Sequence, residues 1–331
     1  MVGLGNIATS SVLPAFANCQ RAKLIALVHR DKKKAARLAR QFSACAAYAS
    51  AEYRDCLADP EISAVYIATP NAAHLSYTVE AARAGKHVLC EKPLAATVAQ
   101  SREMVEACRD AGVQLMTAYR KYFEPSALYL KRLVRRGALG HIDTIHTSFS
   151  EIFRPGISPQ WLLDKQTAGG GPLMDLGPYC INTSRWLIDE DPLEADAFSW
   201  AHDKQRFRDV EEGIAFRLRF PSGAVLQGST TYSAAISSLL FVQGSKGWAS
   251  VSPAFPFDEE RHIYGNIGKG QFHRRFQIVD EFAPEIDALA AAIQEGRAVE
   301  PDGAQGHRDM LITDAIYQSA RSHTPVRINY E

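Results

Sequence analysis

Two short stretches carry side chains suited to moving protons. In the first, the apolar run His87-Val88-Leu89-Cys90 ends in Glu91-Lys92-Pro93. If that run is a strand of a parallel sheet, Lys92 stands at the carboxyl edge, where doubly wound folds bind their ligands. An ammonium there can stabilise a developing alkoxide or lower a neighbour's pKa. Taken alone, the tripeptide also reads as a surface turn. In the second stretch, Gly169-Gly170-Gly171-Pro172-Leu173-Met174-Asp175-Leu176-Gly177-Pro178-Tyr179, a carboxylate and a phenol lie four residues apart. On a helix they share a face, although an isolated Tyr at such a spacing is as readily a core residue. Pro178 lacks an N–H, so the helix is expected to break at Gly177-Pro178 and restart with the proline in its first turn.

A third stretch points to a phosphate-bearing ligand. Gly3-Leu4-Gly5-Asn6-Ile7-Ala8 reads G-x-G-x-x-A and opens a run that can start a helix. The first glycine permits a tight turn, the second lets a pyrophosphate approach the backbone, and Ala8 allows close helix–strand packing. About five strand residues should precede the turn, yet only Met1 and Val2 do. Either the native start lies upstream, or most of the first, central strand is missing. After the next strand, where an NAD site would place an acidic residue on the ribose, the chain reads His29-Arg30-Asp31-Lys32-Lys33-Lys34. Cations there suit a 2′-phosphate and favour NADP. Asp31 could still reach a ribose, and the alternative is a solvated basic helix start.

These residues need a scaffold, and the periodicity supplies one. Up to residue 118, short apolar runs (Lys23–Val28, Ala64–Ala68, Lys86–Cys90, Val113–Thr117) alternate with helical stretches such as Asp31–Gln41 and Val98–Ala111. That is the pattern of a parallel sheet with crossover helices, a Rossmann domain over 1–118. From about residue 142 the segments alternate with period two: Ile214, Phe216, Leu218 and Phe220 point one way, and Arg217 and Arg219 the other. With Ile142–Phe153, Ala224–Ser233, Leu239–Gly244 and Phe272–Val279, followed by helices Phe282–Glu295 and Gly303–Ser322, this predicts an α/β domain over 119–331. Its sheet is expected to be open and mainly antiparallel.

The composition narrows the function. Lys+Arg and Asp+Glu are both 37 among 331 residues, so no charge excess exists to track nucleic acid or an anionic membrane. No apolar run approaches the roughly 20 residues of a membrane span. The six cysteines have neither paired nor metal-ligand spacing, so no metal is expected and a reducing cytoplasm is the simplest compartment.

Taken together, the Gly-x-Gly-x-x-Ala turn, Ala68-Thr69-Pro70-Asn71-Ala72-Ala73-His74, Glu91-Lys92-Pro93, Tyr119-Arg120, the triple-glycine segment with Asp175 and Tyr179, and Ala315-Ile316-Tyr317-Gln318-Ser319-Ala320 stand in the order seen in the Gfo/Idh/MocA oxidoreductases. The chain resembles that family end to end. The resemblance implies a Rossmann domain and an α/β domain whose open sheet serves oligomerisation, as a homodimer or homotetramer. It also implies bound NADP, with NAD possible, and hydride transfer at a sugar or polyol carbon. The cofactor contacts it implies are Gly3, Gly5, Asn6, Ile7, Ala8, His29, Arg30, Lys34, Thr69, Pro70, Asn71, His74, Glu91 and Lys92. Tyr179, where many relatives have His, resembles the aldose and dihydrodiol dehydrogenase branch and becomes the acid/base. Lys92 then positions the substrate and Asp175 hydrogen-bonds it. Arg120, Arg154 and Trp161 are candidates for the sugar pocket, with packing or ion pairing as the alternative. A trans-dihydrodiol dehydrogenase and a non-catalytic NADP-binding sensor are the competing functions.

Overall fold

The computed structural model describes residues 1–330. The chain forms two compact units: Met1–Arg120 with Asp280–His307, and Lys121–Val279 with the chain from Arg308 onward. A single division at residue 118 therefore does not describe the arrangement, because Asp280–His307 returns to the first unit. The return is secured by specific contacts: the Asp287 carboxylate accepts from the backbone N–H of Gln20 (2.6 Å) and Arg21 (2.9 Å).

In the first unit, β1 (Ala26–His29) pairs in parallel with β2 (Ala46–Ala49), and β3 (Ala64–Ile67), β4 (His87–Glu91) and β5 (Leu115–Ala118) form a parallel three-stranded sheet. Val2 bridges them, parallel to both Val28 and Ile67. Across the layer the order is β2, β1, Val2, β3, β4, β5, so the direction of winding reverses at Val2, which is the doubly wound topology. The core of this layer joins Val2, Val28, Ile67, Val88 and Cys90 to Met104 of the helix Val98–Asp110. The expected strand Lys23–Val28 is shifted to Ala26–His29, since its partner β2 pairs with it only from Ala26 onward. The Ala-rich β2 carries little β-propensity and was not foreseen.

In the second unit, nine strands form one sheet. From one edge the order is β13 (Gly270–Phe276), β12 (Arg261–Ile267), β11 (Gly247–Ser252), β10 (Ser233–Gly244), β6 (Ile142–Ile152), β9 (Val225–Thr231), β8 (Gly213–Arg219), β7 (Glu194–Trp200) and β14 (Val326–Arg327). All pairs are antiparallel except β6 with β9. Along β8, Ile214, Phe216 and Leu218 are buried while Arg217 and Arg219 are exposed, as the alternation requires. The core includes Phe149 and Phe216 on the sheet and Cys180 and Ile181 on the helix Gly177–Ile188. No helix among the described residues is long and apolar enough to cross a membrane.

Candidate active site

The candidate residues fall in both units. In the first, Gly3 adopts φ +86°, and a Cβ at that position would stand 2.3 Å from the Ala68 carbonyl oxygen. Only glycine fits this turn. At Gly5 a Cβ would meet nothing within 4 Å, so the backbone faces open space on the side a pyrophosphate would approach. Asn6, Ile7 and Ala8 enter the helical run that follows, where Thr9 and Ser10 hydroxyls donate to the Gly5 and Asn6 carbonyls.

The end of β1 bears on cofactor choice. Asp31 caps the helix Lys32–Gln41, its Oδ1 accepting from the N–H of Lys33 (2.9 Å) and Lys34 (3.1 Å), and these amides hold its carboxyl below the usual range. Lys34 Nζ donates to the Leu4 carbonyl in the glycine turn at 2.8 Å. Arg30 is exposed and His29 partly so. The one acidic residue of this stretch caps the helix through Oδ1, while a lysine is drawn to the phosphate turn.

At the carboxyl ends of β3 and β4, Thr69 Oγ1 is buried without a hydrogen-bond partner, an orphaned hydroxyl beside the turn. That hydroxyl, the room at Gly5 and the Lys34 ammonium are the donors and space a nicotinamide dinucleotide requires, so the residues fit it. Pro70 is exposed and Asn71 buried in the turn that follows. His74 is completely buried. Its Nε2 faces the Thr69 carbonyl (2.9 Å) and its Nδ1 the Leu94 carbonyl (3.2 Å), so its ring ties two loops together, and burial lowers its pKa. Glu91 accepts from the Tyr66 hydroxyl (2.8 Å) and from the Lys92 N–H (3.3 Å). Burial pushes Glu91 upward, and pushes Glu285, 3.5 Å from the same hydroxyl, upward much further. Lys92 is partly buried beside this acidic group. Arg120 is buried in an ion pair with Glu281 at 2.5 Å.

In the second unit, Asp175 and Tyr179 are singled out by exposure: every other residue from 170 to 185 is buried. The helix Pro172–Asp175 ends and Gly177–Ile188 begins across Leu176, which keeps right-handed helical dihedrals (φ −93°, ψ −30°). The interruption at the proline is as the sequence predicts, and it is slight enough to leave Asp175 and Tyr179 in successive turns. Asp175 Oδ2 accepts from the Tyr232 hydroxyl at 2.9 Å. The Tyr179 ring packs against Phe149, edge-on at 5.5 Å, and Phe255 at 5.7 Å, which also touch each other. Phe153, four residues past Phe149 on the same chain, packs against Tyr232. Arg154 follows it in the exposed stretch after β6, and Trp161 is partly buried in the turn Gln160–Leu163.

Glu211 escaped the sequence reading. Its carboxylate accepts from Gly171 N–H and Leu173 N–H, both at 3.0 Å, and from the Tyr317 hydroxyl at 2.9 Å. A Cβ at Gly170 would lie 2.1 Å from that hydroxyl. The glycines therefore give way to a half-buried clamp that fixes where the helix bearing Asp175 starts. Tyr317 lies within the quoted Ala315–Ala320 motif, the signal that could have found it; nothing marked Glu211 or Tyr232.

With this geometry in view, similarity to known proteins is decisive. Residues 1–119 match the oxidoreductase family with an NAD-binding Rossmann fold, and residues 127–250 match the GFO/IDH/MocA C-terminal domain. The chain belongs to the Gfo/Idh/MocA family. It is accordingly an oxidoreductase using a nicotinamide dinucleotide. This Gfo/Idh/MocA protein is 32% identical to D-xylose 1-dehydrogenase [NADP(+)] of Haloarcula marismortui, over 99% of this chain and 92% of that one. Trans-1,2-dihydrobenzene-1,2-diol dehydrogenase of Mus musculus is 30% identical over 69% of this chain and 66% of its own. The aldose-aldose oxidoreductase of Caulobacter crescentus, solved with glycerol, superposes with a TM-score of 0.93 at 35% identity, covering 99% of this chain and 98% of that one.

Proposed function

We propose that this Gfo/Idh/MocA protein is an NADP-preferring dehydrogenase or reductase of a sugar or polyol, with Tyr179 as the acid/base and Lys92 assisting. The observation that carries the reading is the pair of accessible side chains, Asp175 and Tyr179, in an otherwise buried run. When bound, the nicotinamide takes up or gives back the hydride of the carbinol C–H. Tyr179 takes the hydroxyl proton as the carbonyl forms and returns it in the reverse direction. A phenol yields its proton more readily when a cation stabilises the phenolate, which is the part given to Lys92. Asp175, oriented by Tyr232, accepts a hydrogen bond from the substrate. Among the cofactor residues, Arg30 and Lys34 select the 2′-phosphate, the Gly3-to-Ala8 turn holds the pyrophosphate, and Thr69 supplies a donor.

The substrate class follows the named activities of the xylose, aldose and levoglucosan relatives. The dihydrodiol relative makes trans-dihydrodiols the second class to test. A turnover screen of aldoses, polyols and dihydrodiols with NADP and NAD decides: reduction of NADP by an aldose or polyol supports the proposal, dihydrodiol-only turnover replaces the substrate, and no turnover leaves a sensor. A homodimer or homotetramer through the second unit's sheet belongs to the same reading, since that sheet presents Phe198, Ile236 and Tyr264 exposed. Sedimentation should show no stable monomer at micromolar concentration; a monomer there rejects the assembly. A cytoplasmic setting fits the six free cysteines.

A further inference from the structure

Behind the strand end that bears Lys92, the first unit holds a cluster of ionisable side chains that the proposed mechanism leaves unused. Glu281, Glu285, Arg120 and Tyr66 are buried, and Glu91 is half-buried at the end of β4. Arg120 pairs with Glu281 at 2.5 Å, and the Lys92 charge favours the Glu91 anion. Glu285 is thus a third carboxyl group against two cations. Its Oε1 has no hydrogen-bond partner, so an ionised group would leave charge on a bare oxygen in a buried site. The neighbouring acids Asp280 and Asp287 are turned to Asn18 and to the Gln20 and Arg21 amides. Cys90, beside Glu91, adds no charge, because burial pushes its thiol well above the usual range.

The hydroxyl of Tyr66 decides where the protons lie. It donates to Glu91 Oε1 at 2.8 Å, while Glu285 Oε2 stands 3.5 Å from the same hydroxyl oxygen. A phenol has one proton to give; with that proton on the shorter contact, Tyr66 turns a lone pair toward Glu285. A carboxylate would be repelled there, whereas a carboxylic acid donates into it. We propose that Glu285 is a positioning residue that carries a proton and, through Tyr66, keeps Glu91 ionised as the counter-charge of Lys92. Burial, followed by the Glu91 charge, pushes Glu285 well above the usual carboxylate range, and burial likewise raises the Tyr66 phenol, so the chain from Glu285 through Tyr66 to Glu91 retains both its protons at neutrality. Donation along it offsets the burial that would otherwise neutralise Glu91. The role of Glu285 rests on Lys92 taking part in turnover, whereas its proton is measured without turnover.

The test compares the unsubstituted chain with Glu285→Gln, Glu285→Leu and Tyr66→Phe. Infrared difference spectra between the unsubstituted chain and Glu285→Gln at neutral pH should show the C=O stretch of a protonated carboxyl lost in the variant. With the best substrate from the turnover screen and saturating NADP, Glu285→Gln, whose amide still donates to Tyr66, should keep kcat within about threefold. Glu285→Leu and Tyr66→Phe cut the chain, and each should lower kcat by about 5- to 30-fold, the double variant no further. Because leucine replaces a carboxyl with a bare buried oxygen, the melting temperature of Glu285→Leu should hold or rise while kcat falls. Loss of ionised-carboxylate bands alone in Glu285→Gln overturns the proton on Glu285, and unchanged kcat in Glu285→Leu and Tyr66→Phe overturns its role. Neither result touches the assignment of Tyr179.

Discussion

Cofactor choice turns on side chains at the end of β1. Asp31 holds both helix amides of Lys33 and Lys34 on Oδ1, as the cap of the helix that follows. Arg30 and Lys34 offer charge-assisted contacts of roughly 1.5–3 kcal/mol each. Arg30→Ala or Lys34→Ala should therefore weaken NADP binding by about 10- to 150-fold and leave NAD binding nearly unchanged, read by calorimetric titration of both cofactors. An equal loss for NADP and NAD would mean that these residues merely support the turn. Asp31→Ala should instead lower stability without improving NAD affinity.

At the scale of elements, the triple-glycine segment is organised from outside itself. Glu211 sits immediately before β8 and Tyr317 on the helix Gly303–Ser322, yet together they hold the start of the helix bearing Asp175. Glu211→Ala leaves two backbone amides without their acceptor, at about 1–3 kcal/mol each. It should lower unfolding free energy in denaturant titration by roughly 2–5 kcal/mol and raise KM as Asp175 loses its fixed position. A loss no larger than that of Tyr317→Phe would show that water replaces the carboxylate. This clamp also marks what was legible in the sequence. Gly3, Lys92, Asp175 and Tyr179 can be singled out as candidates because turn chemistry and motif order are local, and β8 is legible because alternation is local. Glu211, Tyr232 and the return of Asp280–His307 to the first unit depend on contacts across about forty residues or more, which no spacing rule encodes. The position of β1 failed for a related reason: Lys23–Ile25 has strand composition, but a strand ends where its partner does.

At the scale of the whole molecule, buried His74 couples stability to pH. Burial holds its pKa below the ordinary imidazole value, so as pH falls through that ordinary value the unfolded chain binds the proton first and stability falls. Lowered His307 acts in the same direction, so the measurement is a difference. Denaturant titrations of the unsubstituted chain and of His74→Gln should diverge below about pH 6.5, the variant being the less pH-dependent; parallel curves would place the imidazole in water.

The account as a whole stands on proton transfer by Tyr179 in the intact enzyme. Tyr179→Phe keeps the ring that packs on Phe149 and Phe255 and removes the hydroxyl alone. With the best substrate from the turnover screen and saturating NADP, kcat of this variant should fall by about 10²–10⁴-fold while NADP affinity stays unchanged. Turnover close to that of the unsubstituted enzyme would contradict the account and move the proton to Lys92 or to water.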